Sequence, residues 1–117
     1  MTSLAPIYKI VPRALWRDAE AQGRFEGAPV DLADGYIHFS TALQVRETAS
    51  RHFAREEDLL LVGVDPVLLG DALKWEPSRG GQLFPHLYGV LSMESVLFME
   101  PLPVDAAGYH VFPASIR

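Results

Sequence analysis

The chain has 117 residues, of which 49% are hydrophobic and 21% are charged, and its formal net charge is −5. This balance favours one folded domain over residues 1–117, and it argues against intrinsic disorder and against a general binder of DNA phosphates. The absence of cysteine excludes disulfides and thiol catalysis. Neither a basic leader nor a long apolar run is present, so we predict a cytoplasmic protein without membrane contact, and its size and acidic surface favour a monomer.

The N-terminal third begins with a predicted strand-to-helix unit. The stretch "IYKIV", residues 7–11, is rich in β-formers, and Pro12 stands where a proline can open a helix. Leu15 and Trp16 begin an apolar pattern with helical spacing that stops at Gly23. The glycines, prolines and aspartates of residues 24–35 then predict an irregular loop.

A second strand and helix follow in "GYIHFST", residues 35–41. Alternation in the strand places Tyr36, His38 and Ser40 on one face. Thr41 and Gln44 match a capping box, so we predict a helix that starts at Thr41. Its predicted buried stripe consists of Ala42, Val45, Ala49 and Phe53.

The second half of the chain predicts mostly strands. The apolar run "DLLLVGVD", residues 58–65, suits a central strand that is covered on both faces. A short helical turn and a strand around residues 73–76 should follow, and after "SRGG" the stretches "QLFPHLYGVL", "SVLFMEPL" and "GYHVF" look extended. Two helices near the N-terminus followed by strands predict an α+β domain.

Histidines are the first candidates for chemistry, because the unperturbed imidazole pKa lies near neutrality. His38 and His86 each lie on a polar-faced strand, and His86 shares its side of the strand with Tyr88. Either histidine can be a ligand-binding group or a hydrogen-bonded core residue, and the spacing leaves both interpretations open. His52 and His110 are interpreted as packing or surface residues.

"KWEP" offers a further candidate pair, Trp75 and Glu76. An aromatic ring beside a carboxylate can bind a ring and a hydroxyl group, but it can equally be a core residue next to a solvated charge. No H-x-H, H-E-x-x-H or G-x-S-x-G pattern occurs, so we predict neither a metal site nor a serine hydrolase.

Four motifs in order carry a family resemblance. "IYKI", "GYIHFST" followed by Gln44 and Thr48, "LKWEP" and "FPHLYGVL" are together similar to an uncharacterised bacterial family, domain of unknown function 952, from Ile7 to about Phe98. That family resembles the ADP-ribosyltransferase superfamily in fold, and within it the RNA 2'-phosphotransferase branch. The resemblance implies a split or mixed β-sheet with an NAD pocket.

The same resemblance implies roles for individual residues. His38 and Ser40 match a strand motif in which the histidine orients a ribose of the cofactor and the serine supports the pocket, and Thr41 follows them. Lys9 occupies a first-strand position where relatives often have histidine. The residues assigned to catalysis are His38, His86 and Glu76. Those assigned to cofactor binding are Lys9, His38, Ser40, Thr41, Trp75 and Tyr88. The ring of Trp75 or Tyr88 can stack on nicotinamide.

Two functional hypotheses follow. The first is an ADP-ribosyltransferase-like enzyme that binds NAD or ADP-ribose and transfers an ADP-ribosyl or phosphate group. The alternative is a non-catalytic module that keeps the fold and pocket but binds another small molecule or a protein. The positive charge of Lys9 favours the alternative, because it suits an anionic ligand such as a phosphate or a carboxylate.

Overall fold

The computed structural model describes residues 5–116, which form an α+β domain. Its strands are β1 Ile7–Pro12, β2 Arg24–Phe25, β3 Ile37–His38, β4 Leu59–Val64, β5 Leu73–Pro77, β6 Leu83–Leu87, β7 Leu91–Ser92 and β8 Val96–Pro101. Its α-helices are α1 Arg13–Gln22, α2 Pro29–Asp34 and α3 Val45–His52. Short 3-10 segments cover Pro66–Ala72, Arg79–Gly81 and Met93–Ser95. The predicted α+β class is therefore confirmed.

Two three-stranded sheets position the site, with strand orders β1-β4-β8 and β3-β6-β5. A two-stranded pair, β2-β7, completes the described sheets. Every pair of strands in residues 5–116 is antiparallel, so the prediction of a mixed sheet is wrong. The two larger sheets meet where Tyr8 and Ser40 exchange backbone hydrogen bonds of 2.8 and 2.9 Å. This single bridge holds β1 beside the end of β3, which places Lys9 next to the β3-β6-β5 sheet.

Strand β4 lies at the centre of its sheet and all six of its residues are buried. Val62 faces a core that contains Trp16. Leu61 faces a second core that contains Val45 and Ala49 of α3. The strand is therefore covered on both faces, as its continuous apolar sequence predicts.

The two predicted helices are present, with one shifted boundary. Helix α1 ends at Gly23, which adopts a left-handed conformation with φ of 83°. Helix α3 begins at Val45 and not at Thr41, because residues 42–44 form a turn. Gln44 Oε1 accepts a hydrogen bond from the Thr41 amide, which is half of the capping box, while its Nε2 donates to the Leu83 carbonyl. The side chain of Gln44 therefore also ties this turn to β6.

Two predictions of local structure are wrong, one of a loop and one of a strand. Residues 24–35 contain β2 and α2 rather than a plain loop, because Pro29 opens a helical turn and the Asp31 carboxylate accepts the Ala28 amide proton at its start. "GYHVF" does not form a strand, since an isolated bridge between Val104 and His110 is its only ladder contact in the described chain. In residues 5–116 no helix combines the length and the apolar character needed to cross a bilayer.

A close approach between β4 and β8 provides a test of this packing. A Cβ atom at Gly63 would lie 2.6 Å from Phe98 Cζ, which is an overlap. We expect Gly63→Ala to lower the free energy of unfolding by ~1–3 kcal/mol in urea titrations, because the ring has to move. The matched control is Gly89→Ala, whose Cβ would meet Ala72 Cβ at 3.8 Å, an ordinary van der Waals distance.

The free energy of unfolding of this control should lie within about 0.5 kcal/mol of the wild-type value. Adding Phe98→Leu to Gly63→Ala should cost less than the sum of the two single changes, since the clash is relieved. Wild-type stability in Gly63→Ala would contradict this packing.

Candidate functional site

The site is built around the buried carboxylate of Asp31 on α2. Its Oδ1 accepts hydrogen bonds from Lys9 Nζ at 3.0 Å and from the His38 amide at 3.1 Å, and it lies 2.7 Å from His38 Nδ1. Its Oδ2 accepts from the Ala28 amide at 2.8 Å and lies 3.0 Å from Lys9 Nζ. One carboxylate therefore connects α2 with β1 and β3.

The protonation of this group follows from its partners. Burial by itself raises the pKa of Asp31, but the hydrogen bond from His38, the charge of Lys9 and the Ala28 amide outweigh it and lower the pKa to about 2. Burial lowers the pKa of Lys9, and the charge of Asp31 opposes this effect. We therefore interpret the pair as ionised at neutral pH, so the positive charge of Lys9 is neutralised within the protein.

His38 contacts a carboxylate at each ring nitrogen. Its Nδ1 faces Asp31, and its Nε2 lies 3.0 Å from Asp34 Oδ2. A neutral imidazole carries a single N–H, so both contacts are hydrogen bonds only when both nitrogens are protonated. Asp34 is 46% exposed and can rotate towards solvent, whereas the buried Asp31 is fixed. Nε2 is therefore the nitrogen of His38 that a ligand can reach.

His86 is the direct neighbour of His38 across the ladder between β3 and β6, and the two ring centroids are 5.5 Å apart. We call His38 and His86 the histidine pair. His86 is buried, and its Nδ1 lies 2.8 Å from Glu76 Oε1, which also accepts a 2.8 Å hydrogen bond from Tyr88 Oη. Both members of the pair thus have a carboxylate at Nδ1.

The hydrogen bonds to Glu76 also affect its protonation. The hydrogen bonds made by His86 and Tyr88 lower the pKa of Glu76. The hydrogen bond between Tyr88 and Glu76 also raises the pKa of Tyr88. Tyr36 covers the pair, since its ring stacks on His86 with centroids 4.2 Å apart and lies 4.6 Å from the His38 ring. Burial, together with the charges of Asp34 and Glu76, raises the pKa of Tyr36. Tyr36 therefore holds the imidazole rings in place while its own hydroxyl stays neutral.

A cavity of about 510 Å³ opens beside the histidine pair. It lies between the β3-β6-β5 sheet and α3, and a 2.8 Å hydrogen bond between Ser40 Oγ and Thr48 Oγ1 crosses its wall. Within residues 5–116 no three His, Asp or Glu side chains are arranged to share a metal ion. The cavity lining includes Lys9, Asp34, His38, Ser40, Thr48, His52, Arg79, Phe84 and His86.

The structure brings most of the sequence-predicted site residues together. Lys9, His38, Ser40 and His86 line the cavity. Glu76 and Tyr88 do not line it. Glu76 contacts Nδ1 of His86, and Tyr88 donates a hydrogen bond to Glu76.

Two residues that the sequence assigns to cofactor binding, Trp75 and Thr41, do not line the cavity. Trp75 points to the opposite face of β5 from Glu76 and is 45% exposed, because neighbouring strand residues alternate between faces. Thr41 does not line the cavity either, since its amide is used in the turn with Gln44. Neither residue is therefore placed to contact a ligand beside the histidine pair.

Several site residues were missed by the sequence analysis. Asp31 and Asp34 fell within the segment predicted as a loop, although Pro29 followed two residues later by an aspartate is a helix-start signal. Tyr36 was placed on the same face as His38 but was given no role. Arg79 was treated as part of a glycine break, and no local signal shows that it folds back over the cavity.

Fold and site together thus define this protein as an α+β domain with a carboxylate-anchored histidine pair beside a cavity. The sequence profile described as "Protein of unknown function (DUF952)" matches residues 10–99, and the chain belongs to this family. The predicted family is therefore confirmed.

Solved structures agree with this assignment. The crystal structure of Protein CC0527 from Caulobacter crescentus is 50% identical, covers 92% of this chain and 94% of its own, and superposes with a TM-score of 0.88. The solution NMR structure of CC0527 is 50% identical, with 91% of each chain covered and a TM-score of 0.82. Both were structural-genomics targets, and these matches show no similarity to ADP-ribosyltransferases. No curated protein matches the chain.

The buried ion pair predicts a large effect of Asp31→Asn. This change leaves the Lys9 charge buried without a counter-charge, so we expect the free energy of unfolding at neutral pH to fall by about 3–5 kcal/mol. The double variant Lys9→Met/Asp31→Asn should recover part of that loss, because no charge then remains buried. Urea titrations of the three proteins measure this, and equal stability of Asp31→Asn and wild type would contradict the ion pair.

Acid titration tests the pKa of Asp31. The folded-state pKa of about 2 lies below the ordinary value of 3.8, so the stabilisation is fully present above about pH 5 and is lost as the pH falls towards 2. We expect wild type to lose ~2–3 kcal/mol from this group over that range. Asp31→Asn should lack this component, so identical pH slopes for the two proteins would show that Asp31 is not the group responsible.

Proposed function

We propose that this protein is an ADP-ribosyltransferase-like enzyme that binds NAD or ADP-ribose in the cavity beside the histidine pair and transfers an ADP-ribosyl or a phosphate group. The observation that carries the proposal is the meeting of two imidazoles across adjacent strands at the cavity wall, each with a carboxylate at Nδ1. Paired titratable groups held in a cleft are typical of catalytic sites. The resemblance of His38 and Ser40 to a strand motif of the ADP-ribosyltransferase superfamily supports the choice of ligand.

The residues of the cavity suit a nucleotide. Its volume of about 510 Å³ lies within the range of small-molecule and cofactor sites. Imidazoles and the Ser40 hydroxyl can bind ribose hydroxyls, and Arg79 offers a cation. When bound, NAD supplies an ADP-ribosyl group attached to a nicotinamide leaving group. The chain would contribute position and hydrogen bonding, the effects that accelerate such a transfer.

Within this proposal His86 is the group that handles a proton. The carboxylate of Glu76 at Nδ1 favours a proton on that nitrogen, which leaves Nε2 as the acceptor. In residues 5–116 Nε2 of His86 makes no hydrogen bond, so it is available to a ligand hydroxyl. His38 is held more firmly through buried Asp31, and it would orient the sugar once Asp34 moves from its Nε2.

A second candidate is a non-catalytic module that binds a small ligand without turning it over. The observation that favours it is the contact of Asp34 with His38 Nε2, because that carboxylate occupies the nitrogen a substrate would use. The positive charge of Lys9 no longer favours this candidate, because it is paired with Asp31 and does not suit an anionic ligand.

Ligand binding is tested by two-dimensional NMR. We expect millimolar NAD or ADP-ribose to shift the amide resonances of residues 38–40 and 84–86, and His86→Gln to weaken the response. The matched control is Trp75→Leu, which changes an aromatic residue on the opposite face of β5 and should bind like wild type. No shift with either ligand at this concentration ends the proposal.

Turnover separates the two candidates. For an enzyme we expect release of nicotinamide from NAD, reduced about 100-fold in His86→Gln, because a positioned acid–base group contributes at least this much. Asp34→Ala should increase ligand affinity by freeing His38 Nε2. Binding by both wild type and Asp34→Ala without any nicotinamide release would favour the non-catalytic module.

A further inference from the structure

Arg79 is fixed against the wall of the cavity at the end away from the histidine pair. It belongs to the 3-10 segment Arg79–Gly81 after β5, yet its side chain is only 18% exposed. Its guanidinium carbon lies 4.9 Å from the centroid of the Phe84 ring, and its Nη2 donates to Thr48 Oγ1 at 3.3 Å. Stacking on a ring restricts the orientation of a guanidinium, so its remaining donors have a defined direction.

Most hydrogen-bond donors of Arg79 make no hydrogen bond to the described residues, 5–116. A guanidinium carries five N–H groups. Within residues 5–116 the side chain of Arg79 donates one hydrogen bond, to Thr48. Its Nε lies 3.6 Å from Glu47 Oε2, which is too far for a hydrogen bond. Glu47 is instead bound by Arg51 at 2.7 Å. Arg79 therefore keeps most of its donors for another anion, and the carboxylate in its ion pair, Glu47, is shared with Arg51.

The other groups on the cavity wall leave this role to Arg79. Lys9 is neutralised by Asp31, with Nζ 3.0 Å from each carboxylate oxygen. Thr48 and His52 are four residues apart on α3 and so share one side of the helix, where both line the cavity beside Arg79. Because the whole chain carries a net charge of −5, binding of a phosphate requires a local cation of this kind.

The spacing along β6 relates this end of the cavity to the histidine pair. Phe84 and His86 are two residues apart on the same face of β6, so their Cα atoms are separated by roughly 7 Å. The guanidinium above Phe84 therefore lies about one strand repeat from the imidazole of His86. A phosphate on Arg79 would place an adjoining sugar next to the histidine pair.

We propose that Arg79, with Thr48, forms a phosphate-binding subsite, so that the ligand of this cavity is a phosphorylated sugar or nucleotide and not a nucleoside. The subsite rests on the proposed function for the role of the histidines beside the sugar, but the phosphate contact does not depend on NAD chemistry. Arginine is suited to this task because its planar donors match two phosphate oxygens at once.

NMR titration tests the subsite with three probes, inorganic pyrophosphate, ADP-ribose and adenosine. We expect pyrophosphate and ADP-ribose to shift the Arg79 Nε–H signal and the amides of Gly80 and Gly81, and adenosine to leave the Arg79 signal unchanged. Arg79→Gln should weaken ADP-ribose binding at least about tenfold, since charge-assisted hydrogen bonds are lost. Arg79→Lys keeps the charge but loses the planar donors and should give an intermediate affinity.

Two further variants sharpen the result. Arg24→Gln removes an exposed arginine on β2 that does not line the cavity, and it should leave ADP-ribose affinity within about twofold of wild type. Glu47→Gln removes the carboxylate that competes for Arg79, and it should strengthen pyrophosphate binding. Spectra of the free variants that overlay on wild type establish that each is folded.

The subsite is overturned if pyrophosphate leaves the Arg79 signal unmoved, or if folded Arg79→Gln binds ADP-ribose as tightly as wild type. Failure of the proposed function gives a different result. In that case pyrophosphate still binds at Arg79, whereas NAD neither shifts the histidine pair nor releases nicotinamide.

Discussion

The buried ion pair between Lys9 and Asp31 is the interaction on which the site depends. Removing two charges from water costs several kcal/mol per ion, and a buried pair is tolerated only when its remaining hydrogen-bonding capacity is used. Asp31 meets this condition by accepting from Lys9, from the Ala28 amide and from the His38 amide, and by facing the His38 ring. These contacts join α2, β1 and β3, so a shift of any one of the three would break at least one contact of the buried carboxylate. The position of His38 is thus a consequence of charge burial as much as of strand pairing.

Sequence patterns predicted the parts of this arrangement that are local. Alternation along "YIHFS" and "FPHLY" placed Tyr36 with His38 and His86 with Tyr88, and the structure has both pairs on the face that carries the site. The pairing of His38 with His86 depends on the register between strands far apart in the chain, which no local pattern specifies. The same limit hid Asp31, because its ionic partner lies 22 positions away and its surroundings, rich in glycine and proline, resemble a turn.

The ion pair also changes what the lysine in β1 means. Considered alone, a lysine on the cavity wall suggests that the cavity accepts an anion. With Asp31 in contact at 3.0 Å, Lys9 is instead a structural cation, and the anion-binding capacity belongs to Arg79 at the other end. The carboxylates Asp31, Asp34 and Glu76 all contact the histidine pair, whereas Arg79 lies against Phe84 and Thr48 on another part of the cavity wall. Such an arrangement orients a ligand that has a phosphate at one end and hydroxyl groups at the other.

The two members of the histidine pair differ in what anchors them. Asp31 is buried and itself bound to Lys9, so its hold on His38 is little affected by salt. Glu76 is 38% exposed, and its contact with His86 is open to screening by water and ions. His86 nevertheless is the more buried imidazole, and its Nε2 makes no hydrogen bond in the part of the chain that the structure describes. A rigid His38 and a His86 with an adjustable anchor suit different tasks, because orienting a sugar needs a fixed donor, whereas proton transfer needs a ring whose protonation can change. This difference supports assigning orientation to His38 and proton transfer to His86.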